Sequence, residues 1–106
     1  MRNIYFQITK NLKLGRDKAL MGDKNGAVQA FDKCVAELRE LPPEHTRDVL
    51  LAHSYLNKYQ TLALENKDNK RALESLQRGV SYARSSKDPT ARAVAEECLS
   101  GLDLTA

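Results

Sequence analysis

The chain has 106 residues, 42% of them hydrophobic and 29% charged, with 17 Lys and Arg set against 14 Asp and Glu for a formal net charge of +3. That length suits one domain with one core, and the balance of apolar and charged residues disfavours a disordered chain. No stretch reaches the ~20 apolar residues of a membrane span and the N-terminus has no apolar leader run, so a cytoplasmic protein without a membrane partner is expected.

The first segment, about Asn3 to Met21, places Ile4, Ile8, Leu12, Gly15 and Ala19 on one face with Tyr5 beside them, the period of an amphipathic helix. Gly22-Asp23-Lys24-Asn25 breaks it. A second helix is expected from about Asn25 to Leu41, where Ala27, Phe31, Cys34, Val35, Leu38 and Leu41 form the cleanest stripe in the chain, ended by Pro42-Pro43. The third segment, about Pro43 to Asn66, is apolar around much of its circumference through Val49, Leu50, Ala52, Tyr55, Leu56, Tyr59, Leu62 and Ala63, which suits a helix in the middle of a stack. After the polar turn Asn66-Lys67-Asp68-Asn69, a fourth helix follows through Ala72, Leu73, Leu76, Gly79, Val80 and Ala83 to about Ser86. In the fifth, Asp88 is a natural N-cap and Pro89 a natural first residue, ahead of a stripe of Ala91, Val94, Ala95, Cys98, Leu99 and Leu102. Five helices joined by short turns make an all-α chain of consecutive antiparallel hairpins.

The hairpins repeat. Two polar turns each lead into an alanine, Ala27 or Ala72, and these stand 45 residues apart. Each is followed by a large apolar residue four positions on, Phe31 or Leu76, and by a small one seven positions on, Cys34 or Gly79. Together with Leu14-Gly15 and the Gly22-Asp23 turn, Ala27, Phe31 and Cys34 resemble the tetratricopeptide repeat (TPR) in register, small residues letting two helices approach while Phe31 fills the space beside them. The second copy departs from the pattern, with Tyr59-Gln60 in place of Leu-Gly and Asn66 in place of the turn glycine. Its spacing also exceeds the about 34 residues of the standard repeat, as in elongated variants. The resemblance covers about residues 4–103 and implies one domain, 1–106, built as a short right-handed solenoid: hairpins 3–41 and 43–86 and a capping helix 89–103.

Catalytic chemistry has no foothold in this pattern. His45, in a loop, and His53, on a helix, have no Cys or Asp at nucleophile or metal-ligand spacing, and no glycine-rich phosphate loop is present. The expectation is a chain that is not an enzyme and has no catalytic residue, no metal and no cofactor. Cys34 and Cys98, each within an apolar stripe, read as reduced core thiols. What remains is surface. In TPR folds the first helix of each hairpin lines a concave groove, so the resemblance implies a binding face formed by Leu12, Lys13, Arg16 and Leu20 with Ser54, Asn57, Lys58 and Thr61, extended by Arg92 on the fifth helix. Such a groove would be basic over an apolar floor, suited to an acidic peptide or helical segment of another protein, as in an adaptor, chaperone or regulator. Lys13 stands where carboxylate-clamp TPR domains carry Asn, leaving Asn57 and Lys58 as the part of that clamp retained.

Two other functions compete with that one. Basic residues near the fourth and fifth helices, Lys67, Lys70, Arg71, Arg84, Lys87 and Arg92, raise nucleic acid as a partner, but cations and anions alternate along nearly every segment, which argues against it. Phe6 lies off the main stripe of the first helix, at the open end of the stack, and leaves a homodimer or structural subunit open.

Overall fold

The computed structural model describes residues 4–65 and 69–102. Among these, all regular structure is helical: α1 (Ile4–Leu20), α2 (Lys24–Arg39), α3 (His45–Leu62), α4 (Lys70–Ser86) and α5 (Pro89–Ser100). The helix starts follow local chemistry. Asp23 accepts from the Gly26 N–H, Asn69 from Arg71 and Ala72, and Asp88 from Ala91, each side chain satisfying an amide that the first turn leaves without a partner. Pro89 then opens α5 as expected. Gly22, at φ +85, turns the chain between α1 and α2 in a conformation that strains any residue with a side chain.

Several boundaries differ from the sequence reading. α2 stops at Arg39 rather than Leu41, and α3 starts at His45 rather than Pro43, so His45 opens a helix instead of lying in a loop. Pro42 accounts for the first shift by biasing Leu41 toward extended backbone, and α3 starts behind Glu44, whose backbone is extended at φ −160 and ψ 169. α3 ends at Leu62, short of Asn66, with the Ala63 N–H bonded to the Tyr59 carbonyl at 2.8 Å. α4 is closed by Lys87 in the left-handed conformation, φ 60, a feature without a sequence signal because glycine is the usual occupant. Asn3, the Asn66-Lys67-Asp68 part of the polar turn and Asp103 lie outside the described residues.

The sequence places α3 at the centre of the stack, and it packs there against all four other helices. Leu51, Ala52, Tyr55, Leu56, Tyr59 and Leu62 are buried on several sides of it. Two apolar clusters result. One joins α1, α2 and the first half of α3 around Ile8, Phe31, Leu38 and Leu51; the other joins α3, α4 and α5 around Leu56, Leu76, Ala83 and Ala95. Tyr55 and Tyr82 stack across the boundary, ring centroids 6.0 Å apart and planes 5° off parallel, so the clusters act as one core.

The small residues noted in the sequence mark the closest helix contacts. A Cβ on Gly15 would lie 2.6 Å from a ring carbon of Phe31, and one on Gly79 would lie 2.8 Å from the Leu56 side chain and 3.2 Å from its backbone nitrogen. α1 therefore rests directly on the Phe31 ring, and α4 rests on α3 at Leu56. Both contacts require the absence of a side chain. In the first hairpin the small residue sits on the first helix and in the second hairpin on the second, so the two contacts are not copies of each other.

Candidate partner-binding groove

α1 and α3 lie side by side with matching ends. Tyr5 near the start of α1 donates to Glu44 at the start of α3, and the last turns of both helices border a common hollow. That hollow, about 360 Å³, has Ala19, Leu20, Phe31 and Leu64 as its apolar surfaces and Arg16, Asn57, Gln60 and Thr61 as its polar ones. Leu20 is 86% exposed and Leu64 75%, so both leucines stand at the rim with their side chains in water. A second depression of about 250 Å³ continues it between α3 and α5, sharing Gln60 and Leu64 and adding Glu97, Cys98 and Gly101. One groove thus crosses α1, α3 and α5.

The nine residues that the sequence assigns to this face divide into two groups. Arg16, Leu20, Asn57 and Thr61 come together around the hollow. The other five do not. Leu12 is 2% exposed and belongs to the core around Phe31, and Ser54 is fully buried, its Oγ donating to the Leu50 carbonyl at 2.8 Å. α3 sinks far enough between its neighbours that a position on its polar side still loses water. Lys58 is drawn back to α2, where its Nζ lies 2.6 Å from Asp32, and Lys13 reaches along α1 to Asp17 at 3.1 Å. Arg92 sits one turn before Glu96, which reaches Arg84 of α4 at 3.9 Å, so Arg92 faces the α4 side rather than the groove.

These placements change the electrostatics. The groove keeps one cation, Arg16, which has no ion pair among the described residues, and carries a carboxylate, Glu97, toward α5. It is polar at two ends rather than uniformly basic. The clamp remnant is also dismantled, since Lys58 points away and the Asn57 amide donates to the His53 carbonyl at 2.6 Å. His53 is not among the residues that the sequence assigns to this face, yet it lies near both Arg16 of α1 and Asp88 at the start of α5. Burial lowers its pKa below the usual 6.5, the Arg16 guanidinium lowers it further and Asp88 opposes them, so the imidazole is neutral at pH 7. One signal for it is legible: His53 stands one turn before Asn57 on α3.

A larger hollow, about 720 Å³, opens at the far end of the stack between α4 and α5, lined by Leu73, Leu76, Val80 and Leu99 with Arg84. Cys34 and Cys98 are both buried free thiols. Burial pushes Cys34 up to about 11, the nearby Glu37 carboxylate adding to it, and its Sγ lies 3.6 Å from the Ile8 carbonyl. Among the described residues, no three His, Cys, Asp or Glu side chains gather as a metal site would require, and no helix is long and apolar enough to cross a membrane.

The chain matches no family model, no curated protein and no solved structure at a significant level. Its function is therefore read from the groove itself.

Proposed function

We propose that the chain is a protein–protein interaction module, a cytoplasmic adaptor, chaperone or regulator of TPR-like build, that holds a helical or peptide segment of another protein across α1, α3 and α5. The observation that carries this reading is the pairing of two rim leucines, Leu20 and Leu64, around one apolar hollow with the guanidinium of Arg16, which has no ion pair among the described residues. Exposed leucines over a concave apolar floor match the anchor pockets by which amphipathic helices dock. Arg16 asks for a carboxylate on the incoming segment beside those anchors, and Glu97 asks for a cation or a hydrogen-bond donor farther along. An acidic segment alone satisfies only half of the groove. A cytoplasmic setting accords with two buried, unbridged cysteines.

The test is capture of partners from source lysate, identified by mass spectrometry, on the wild-type chain, on Leu20→Asp/Leu64→Asp and on Arg78→Glu. Arg78 lies on the outer side of α4, away from the groove. A protein held by the wild type and by Arg78→Glu but released by the leucine pair supports the reading. Equal retention by all three would place binding elsewhere.

A further inference from the structure

α1 carries a second stripe that the groove does not use. Phe6, Lys10, Leu14, Asp17 and Met21 follow one another along the side of the helix turned away from Ile8, Leu12 and Gly15, the residues that pack inward. All five are exposed, Phe6 at 64%, Leu14 at 48% and Met21 at 82%. The Lys10 ammonium sits 5.5 Å from the centre of the Phe6 ring. The order along the helix is apolar, cation, apolar, anion, apolar, and it is self-complementary on reversal. When two such stripes are laid antiparallel about Leu14, Phe6 falls opposite Met21 and Lys10 falls opposite Asp17, twice over.

We propose that this face is where two copies of the chain associate, as an antiparallel α1–α1 pair across a twofold axis near Leu14. Charge selects the arrangement. A parallel pair sets Lys10 against Lys10 and Asp17 against Asp17, and like charges held together disfavour it. Head-to-tail stacking of α1 on the α4–α5 hollow has no closure and so grows without limit, and of the two charges in the stripe it offers a counter-charge, Arg84, only to Asp17. The antiparallel pair sets Lys10 of each copy against Asp17 of the other, which within its own helix also meets Lys13 at 3.1 Å, and covers all three apolar side chains. The stripe shares no residue with the groove, so the dimer presents two grooves and binds a bivalent partner with avidity. A contact one helix long, ~22 Å from Phe6 to Met21 at ~1.5 Å per residue, lies at the small end of specific interfaces. The dimer therefore dissociates on the order of micromolar concentration.

Sedimentation equilibrium on the whole chain tests this with Lys10→Asp, Asp17→Lys and their equimolar mixture. Both positions are exposed, and far-UV circular dichroism verifies that each variant keeps its helices. The wild type is expected to pass from monomer to dimer and no further as concentration rises. Each single reversal sets like charges across the axis and weakens the dimer by about tenfold or more. The mixture regains it, because the aspartate introduced in one variant then meets the lysine introduced in the other. A wild type that stays monomeric to millimolar concentration overturns the proposal, as do growth beyond the dimer, a dimer indifferent to the reversals, and a mixture no tighter than its components.

Discussion

Adding one methyl group at Gly15 tests the packing of the first hairpin. The new Cβ would lie 2.6, 2.9 and 3.1 Å from three carbons of the Phe31 ring, and Phe31 is 1% exposed, enclosed by the first cluster. Alanine in a helix interior stabilises by about 1 kcal/mol relative to glycine, whereas overpacking a filled core costs about 1–3 kcal/mol. An approach of 2.6 Å to a ring that is 1% exposed favours the upper part of that range, so Gly15→Ala is expected to destabilise by about 1–2 kcal/mol net. In a domain of this size that lowers Tm by several degrees, about 4–8 °C per kcal/mol. Urea denaturation followed by far-UV circular dichroism measures it. Phe31→Leu in the same chain removes the ring carbons that clash, so Gly15→Ala should then turn neutral or stabilising, a coupling of about 1–3 kcal/mol between the two sites. Should Gly15→Ala prove as stable as the wild type on its own, α1 does not rest on Phe31 as described.

Two further outcomes concern the start of α5 and His53. Asp88→Ala removes the acceptor that holds the Ala91 N–H at 2.9 Å and is expected to cost about 1 kcal/mol, with Asp88→Asn retaining most of the wild-type stability in the same urea titration. His53 binds its proton less readily folded than unfolded, so the unfolded chain takes up the extra proton and stability rises with pH. The contribution is complete above the unfolded pKa of about 6.5 and is lost as pH falls below it toward the lower folded value. His53→Gln should flatten the fall in Tm between about pH 7.5 and 5.5, and an unchanged slope in that variant would assign the fall to other groups.

The helices themselves are legible along the chain. Apolar residues at a 3.6-residue period, Asp88-Pro89 at the start of α5 and Pro42-Pro43 between α2 and α3 are local signals, and local backbone chemistry answers to them. The broad apolar girth of α3 likewise announces its central position. Gly15 facing Phe31 is readable because a missing side chain and a large ring stand at compatible positions on adjoining helices. The left-handed Lys87 and the early end of α3 have no comparable mark, since neither residue type nor period demands them.

The groove is only half legible, and the reason is geometric. Sequence period says which residues share a side of one helix, and it groups Leu12 with Arg16 and Ser54 with Asn57 correctly as neighbours along α1 and α3. How deep each helix sinks between its neighbours decides which of those residues keeps water, and that depth depends on every contact at once. Leu12 and Ser54 are lost to the core by the closeness of that approach, while Lys58 is captured by Asp32, a residue on α2. Five helices, their order and their inward faces are written into the chain, because those follow from interactions within a turn or two. The character of the groove, two exposed leucines beside a guanidinium with no ion pair among the described residues, emerges only once the helices are packed, because charge pairing and burial are set between helices rather than along them.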